Sequence, residues 1–129
     1  MRSLARQDTE LKSAIAGKPA LVSLWATWCD ACVKEQPALV RIDGWAKEHG
    51  AVVVGVAVGE PIDTVTTYTA EHRLPWLVLV DEEFRFSDAL GEKRVPTTLV
   101  VDREGHVVYT GGAVDERSVA AFRKVVGAQ

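Results

Sequence analysis

The stretch Leu21–Pro37, LVSLWATWCDACVKEQP, decides the fold of this chain. It holds both cysteines of the protein, Cys29 and Cys32, between an apolar run and a helical pattern. Cβ atoms at positions i and i+3 of a regular helix lie roughly 5–6 Å apart, whereas a disulfide needs roughly 3.5–4.5 Å. The two cysteines can therefore bond only if Cys29 lies at the helix cap, where the backbone is not yet regular.

A cysteine at the start of a helix is also well placed to react. The first helical N–H groups have no internal partners and the helix dipole is positive there, so both stabilise a thiolate. The thiolate is the form of cysteine that attacks other groups. We therefore predict that Cys29 is the nucleophile and that Cys32, one turn into the helix, is the more shielded resolving thiol.

Two other interpretations of the cysteine pair are weaker. A structural disulfide that closes a loop of about four residues stabilises a fold by only about 2 kcal/mol. Zinc usually takes four ligands, and beyond the cysteines the chain offers only His49, His72 and His106, none at close ligand spacing. The pattern thus favours a redox-active disulfide, with no metal site and no other cofactor predicted.

Composition fits one soluble globular domain spanning residues 1–129. Apolar residues make up 47% of the chain and charged residues 26%, which is ordinary for such a domain. The net charge of −3 gives no reason to expect nucleic acid or an anionic membrane surface as a partner. No apolar run approaches the roughly 20 residues that span a bilayer. The start, Met1–Leu4, lacks the apolar stretch of a signal peptide, so we expect either a cytoplasmic protein or an exported one without its leader and any membrane anchor.

Apolar periodicity predicts alternating helices and strands. Residues 1–17 form a predicted N-terminal helical segment, because Leu4, Leu11 and Ile15 share a helical face. The strands Ala20–Ala26 and Ala51–Val58 flank a helix over Asp30–His49 that Pro37 bends. The apolar stripe of this helix, which predicts its buried face, consists of Val33, Leu39, Val40, Ile42 and Ala46. The remaining predictions are a helix from Pro61 to His72, a strand or extended segment at Leu77–Val80, a solvated turn at Asp81–Glu83, helical turns at Phe84–Leu90, a hairpin of Thr97–Val101 and Val107–Thr110, and a last helix capped by Asp115.

Three features of the chain together resemble the thioredoxin superfamily. They are the run Trp25–Cys32 (WATWCDAC), Pro37, and the run Val95–Thr98 (VPTT). With Glu35 and the later D-x-x-G of Asp102–Gly105, they match the pattern of the bacterial TlpA/ResA-like branch. The resemblance implies the α/β thioredoxin fold, a central mixed β-sheet flanked by helices, with a helix-containing insertion over residues 61–80 after the second core strand.

The same resemblance implies an activity and a setting. It implies a monomeric thiol–disulfide oxidoreductase that reduces protein disulfides, with protein disulfide or thiol substrates and an upstream electron-donor thiol protein as partners. Its implied location is periplasmic or otherwise extracytoplasmic, and cytochrome c biogenesis is one implied pathway. Two other functions stay open at this point: a thioredoxin-like binding module without redox turnover, and a Cu(I) metallochaperone that uses the cysteines as soft ligands.

Glu35 has two interpretations. It lies one turn beyond Cys32 on the same helix face, so it is either a solvent-exposed helix carboxylate or a proton acceptor for Cys32. The second role would compensate for Ser23, which stands where the resemblance places a buried aspartate in thioredoxins. It requires partial burial, which would raise the carboxylate pKa into a useful range.

Three more residues are predicted to bind substrate. Trp28 is expected to be partly exposed beside the cysteines, on an apolar docking surface. Pro96 is either a trans proline at a strand start or a cis proline facing the cysteines. Pattern favours trans, since cis accounts for about 5–6% of X–Pro bonds, but the resemblance implies cis. The backbone of Val95 would then pair with an extended substrate chain.

The two residues between the cysteines bear on the direction of the reaction. Asp30 adds a negative charge beside Cys29 and Ala31 offers no compensation, so the thiolate is stabilised less than in strong oxidants. We predict a reduction potential nearer the thioredoxin value of about −270 mV than the strong-oxidant value of about −120 mV. The alternative is that Asp30 points into water and has little effect.

Overall fold

The structure is a computed structural model that describes residues 1–127. Its elements, in chain order, are β1 (Arg2–Ser3), α1 (Leu11–Ile15), β2 (Ala20–Trp25), α2 (Asp30–Glu48), β3 (Val52–Val58), α3 (Ile62–His72), β4 (Leu77–Asp81), α4 (Arg85–Leu90), β5 (Thr97–Val101), β6 (Val107–Gly111) and α5 (Glu116–Val126). The strands form one sheet in the order β1-β4-β3-β2-β5-β6. This is the mixed sheet flanked by helices that the sequence predicts.

The centre of the sheet is parallel. Strands β2, β3 and β4 run in the same direction, and β5 pairs with β2 in the opposite direction. All six residues of β2 are buried, as expected for a strand covered on both faces. The unit β2–α2–β3 leaves the cysteines at the carboxyl end of β2, the edge at which open α/β sheets hold their sites.

Both faces of the sheet carry a hydrophobic core. On the face of α2, α3 and α5 the buried residues include Leu21, Trp25, Val53, Val65 and Phe122. On the face of α1 and α4 they include Ile15, Val22, Val54, Leu79 and Leu99. Because successive side chains of a strand point to opposite faces, Ser23 lies on the face of α2.

The predicted N-terminal helical segment, residues 1–17, is largely wrong. Arg2 and Ser3 form a strand that pairs antiparallel with β4, and Arg2 also bridges Asp8. Only Leu11–Ile15 is helical. The physical reason is the sheet edge: without β1, the backbone N–H and C=O groups of β4 would lack a partner on that side. An ion pair between Arg2 and Glu82 joins the same two elements.

The predicted insertion, residues 61–80, contributes a helix and a full strand to the fold. Strand β4 pairs in parallel with β3, with Val56 opposite Leu79, which resolves the open choice between a strand and an extended segment. The prediction of a solvated turn is wrong at Asp81, which is 2% exposed. Its carboxylate accepts hydrogen bonds from the backbone N–H groups of Phe86 and Ser87, so it caps α4.

Helices α2 and α5 follow the sequence closely, with one exception. Asp115 caps α5 and accepts from the backbone of Arg117 and Ser118. In α2, however, Val33 and Val40 are 39% and 48% exposed, although their spacing suggested a buried face. Among residues 1–127, no helix has both the length and the apolar character needed to cross a bilayer.

Candidate active site

The two cysteines form a disulfide at the start of α2. Cys29 occupies the N-cap with extended backbone angles, and Cys32 lies in the first turn, with 5.2 Å between the two Cα atoms. The backbone N–H of Cys32 donates to Cys29 Sγ at 3.2 Å. This confirms the predicted placement at the cap, and a helical N–H points at Cys29 Sγ, where it would stabilise a thiolate. Cys29 is 7% exposed and Cys32 2%, the order expected of an attacking and a resolving thiol.

Trp28 stands out of the surface beside this disulfide. It is 70% exposed, more than the partial exposure predicted, and Val33 on the next turn is also an exposed apolar side chain. Asp30 is exposed as well. The protein therefore presents apolar surface next to Cys29, which suits contact with another protein.

Val95 and Pro96 lie at the same edge of the sheet as the cysteines. Thr97, the next residue, pairs with Leu24 near the end of β2, so the Val95–Pro96 segment comes level with the start of the cysteine loop. The Val95–Pro96 peptide bond is cis, and both residues are half-buried. Their role in binding substrate remains a prediction.

Glu35 is buried, so its interpretation as a solvent-exposed helix carboxylate is wrong. It is 7% exposed. One carboxylate oxygen accepts from the Ser23 hydroxyl at 3.2 Å and the other from the backbone N–H of Val114 at 2.8 Å. Burial raises the pKa of Glu35, and the hydrogen bonds from Val114 and Ser23 partly oppose that rise. The condition for a proton-accepting role is therefore met, while the role itself remains a prediction.

Glu60 is a site residue that the sequence analysis missed. It is 6% exposed and accepts hydrogen bonds from the backbone N–H of Thr27, at 2.6 Å, and from its hydroxyl. Thr27 immediately precedes Trp28 and Cys29, so Glu60 holds the loop that presents them. The available signal was its place just after β3, since the carboxyl ends of parallel strands meet at one edge of the sheet.

No metal site is assigned within residues 1–127, where no group of three or more His, Cys, Asp or Glu side chains could hold an ion. The histidines have local partners: a ring nitrogen of His49 bonds the backbone oxygen of Trp45, and one of His72 bonds that of Tyr68. His106 pairs with Asp102 in the β5–β6 turn.

Comparison with known proteins decides the family. A family model described as Redoxin matches residues 3–126. This chain belongs to the Redoxin family. Its cysteine pair at disulfide distance supports thiol–disulfide exchange as the chemistry of the site.

Relatives of this Redoxin chain carry the names of enzymes of thiol–disulfide exchange. It is 28% identical over 128 residues to thiol-disulfide oxidoreductase ResA of Halalkalibacterium halodurans, covering 98% of this chain and 72% of that protein. It is 31% identical over 115 residues to thiol:disulfide interchange protein DsbE of Pseudomonas aeruginosa, covering 88% of this chain and 61% of that protein. The structure of a secreted thiol-disulfide isomerase from Corynebacterium glutamicum superposes with a TM-score of 0.81 at 21% identity, covering 98% of this chain and 81% of that one. A solution structure described as a thioredoxin from Neisseria meningitidis superposes with a TM-score of 0.83 at 23% identity, covering 98% of this chain and 85% of that one, which confirms the thioredoxin-like fold.

Proposed function

We propose that this chain is a thiol–disulfide oxidoreductase that reduces disulfides of other proteins. The observation that carries the proposal is the Cys29–Cys32 disulfide at the N-terminus of α2, with the Cys32 N–H directed at Cys29 Sγ. The names of the relatives support the same chemistry.

The reaction follows from the order of the two thiols. The Cys29 thiolate attacks one sulfur of a substrate disulfide, forms a mixed disulfide and releases the first substrate thiolate. The Cys32 thiolate then attacks Cys29 Sγ and releases the second substrate sulfur as a thiolate. Two electrons pass to the substrate, and the Cys29–Cys32 disulfide forms. An upstream thiol protein must reduce this disulfide before the next turnover.

Asp30 is the residue from which we infer that the protein reduces its substrates and does not oxidise them. It is exposed in the first turn of α2, where its negative charge opposes the stabilisation of a thiolate at Cys29 by the helix terminus. Strong oxidants are strong because their reduced form is unusually stable. Weaker stabilisation of the thiolate favours a reductant.

Glu35 is the proposed proton acceptor for Cys32. The resolving thiol is 2% exposed and must lose its proton before it attacks the mixed disulfide. A buried carboxylate with a raised pKa is a better base near neutral pH than an ordinary glutamate. Glu35 is such a group, and it lies one helical turn from Cys32.

Substrate is proposed to dock across Trp28 and along the backbone of Val95. Trp28 offers exposed apolar area, and the segment at Val95 is able to pair with an extended chain as an added strand. By resemblance the substrate is an exported protein whose cysteines are kept reduced, such as apocytochrome c, and the compartment is extracytoplasmic. The same resemblance implies a monomer.

Reduction of insulin by dithiothreitol tests the activity. We expect the chain to accelerate insulin precipitation and Cys29→Ser to abolish that acceleration, because the variant has lost its nucleophile. The matched variant Cys32→Ser, reduced beforehand and mixed with insulin without dithiothreitol, should still form a mixed disulfide with the substrate but fail to release it. Equal rates with and without wild-type protein would instead support a binding module whose cysteines are incidental.

A further inference from the structure

A small internal cavity lies directly behind Cys32. The residues that line it come from β2, α2 and the segment before β4: Ser23, Trp25, Cys32, Gln36, Leu39 and Trp76. The space open to the centre of a water molecule is about 10 Å³, close to the minimum that one ordered water requires. The lining includes a hydroxyl, an amide, two indoles and a sulfur, so the cavity is polar enough to hold such a water.

Trp25, which lines this space, carries a buried indole nitrogen, Nε1, without a hydrogen-bond partner among residues 1–127. The residue is 4% exposed. A buried donor without a partner destabilises the fold, so such a group is expected to bind an acceptor. A Cβ atom built on Gly55 would lie 3.0 Å from Nε1 of both Trp25 and Trp76, so two indole N–H groups converge above one point of β3.

Ser23 connects this cavity to Glu35. Its side chain lines the cavity, and its hydroxyl donates to Glu35 Oε2 at 3.2 Å. Glu35 also accepts from Val114, and within residues 1–127 it has no hydrogen bond to Cys32. The Ser23 hydroxyl therefore stands between the carboxylate and the space beside the resolving thiol.

We propose that a single water bound by Trp25 Nε1 and Ser23 carries the proton between Cys32 and Glu35. Cys32 S–H gives its proton to the water, the water gives one to Ser23 Oγ, and the Ser23 hydroxyl proton moves to Glu35 Oε2. The products are a Cys32 thiolate and a neutral Glu35, with water and serine unchanged. Ser23 and Trp25 are positioning residues in this scheme, which rests on the proposed proton-accepting role of Glu35.

Other titratable groups lie on the elements around this path. They are Cys29 at the start of α2, Tyr68, whose hydroxyl accepts from Gln36 Nε2 at 3.0 Å, Glu60 behind Thr27, and Asp115 next to Val114. Glu35 is the one among the carboxylates named here that is hydrogen-bonded to a residue lining the cavity.

The test is a single-turnover measurement of the resolving step. Reduced protein is mixed with glutathione disulfide, and the release of glutathione from the Cys29 mixed disulfide is followed by stopped flow from pH 5 to 10. The variants are Ser23→Ala, Ser23→Val, Glu35→Gln and the double variant Ser23→Ala with Glu35→Gln. Ser23→Ala leaves space in which an extra water could replace the lost hydroxyl, whereas the larger side chain of Ser23→Val fills that space. The control is Thr98→Val. Thr98 is opposite Ser23 in the sheet, and its buried hydroxyl donates to the backbone oxygen of Gly112 and not to Glu35.

We expect both Ser23 variants to slow glutathione release at neutral pH by about 100-fold, the lower end of what a positioned general base contributes. The pH midpoint should rise toward that of an isolated thiol, about 8.5. The double variant should be no slower than Glu35→Gln alone, because the two residues act in one path. Thr98→Val should leave both the rate and the midpoint unchanged.

The outcomes separate the relay from the role of Glu35. If Glu35→Gln slows release and the Ser23 variants do not, the relay is overturned and Glu35 keeps its role by another route. If neither substitution slows release, both ideas are overturned.

The water itself is tested by proton NMR of the reduced protein, with the Trp25 indole signal assigned by its loss in Trp25→Phe. We expect magnetisation transfer between that indole proton and a long-lived water. Its absence would overturn the proposed water site.

Discussion

At the residue scale, Glu35 couples the stability of the fold to pH. Its carboxylate is 7% exposed, and burial is the main cause of its raised pKa. A raised pKa means that the folded state binds this proton more tightly than the unfolded state does. The contribution of Glu35 to stability is therefore fully present below the unfolded pKa and is lost as the pH rises through the folded pKa.

We predict that Glu35→Gln removes this dependence. In the oxidised protein, the free energy of unfolding of the wild type should fall relative to the variant as the pH rises from about 4.5 through the raised pKa. The loss is about 1.4 kcal/mol for each tenfold difference in proton affinity between the two states. Urea unfolding at a series of pH values measures it.

The control for this prediction is Glu48→Gln, which removes an exposed carboxylate from the same helix. If the free energies of unfolding of the wild type and Glu35→Gln differ by the same amount at every pH, Glu35 does not have a raised pKa in the folded state.

The residues of the site differ in how far sequence could predict them. Cys29 and Cys32 are predictable because a helix start and a three-residue spacing are local properties. The bonds of Glu35 to Val114, 79 residues away, and of Glu60 to Thr27, 33 residues away, depend on how strands and helices meet. Apolar residues that recur every 3.6 or 2 positions indicate a helix or a strand but not which distant residues meet, so Glu60 was missed.

At the element scale, the same limit separates the central strands from the edges. Strands β2 and β3 are apolar apart from Ser23, so composition alone places them inside. Strand β1 has two residues, Arg2 and Ser3, which are too few to show a period, and its partner β4 lies near the middle of the chain. Val33 and Val40 show the converse error, since helical spacing did not reveal which part of the apolar face meets the sheet.

The short helix α4 depends on one buried carboxylate. Asp81 ends β4, and its two oxygens accept from Phe86 N at 3.1 Å and Ser87 N at 3.0 Å. We predict that Asp81→Ala lowers the free energy of unfolding by about 2–3 kcal/mol, because it leaves helical N–H groups in a buried setting without an acceptor. Urea denaturation followed by circular dichroism measures the change.

Asp88→Ala is the matched control for this cap. It removes an exposed carboxylate from the same helix, where Asp88 pairs with Lys93 at 2.7 Å, and exposed pairs contribute about 1 kcal/mol or less. Equal losses for the two variants would show that Asp81 does not anchor the helix.

At the scale of the whole molecule, redox state and folding free energy are linked. A dithiol protein is a strong oxidant when folding stabilises its reduced form over its oxidised form, and a reductant in the opposite case. The proposed reductant role of the Cys29–Cys32 pair is thus a statement about the entire fold, because the potential depends on the difference between the unfolding free energies of the oxidised and reduced forms. It is measurable without knowledge of the physiological substrate.

We predict that the oxidised protein is more stable than the reduced protein, with a reduction potential nearer about −270 mV than about −120 mV. Urea unfolding of both forms measures the first quantity, and equilibration in glutathione or dithiothreitol buffers measures the second. Asp30→Asn should raise the potential, because it removes the negative charge beside the Cys29 thiolate and so favours the reduced form. Glu48→Gln, at the far end of α2, controls for loss of charge alone.

A reduced form more stable than the oxidised one would contradict a reductant. So would a potential above about −180 mV, the value of an isomerase-type protein. An unchanged potential in Asp30→Asn would leave the direction of the reaction to be set by the helix terminus and not by the residue between the cysteines.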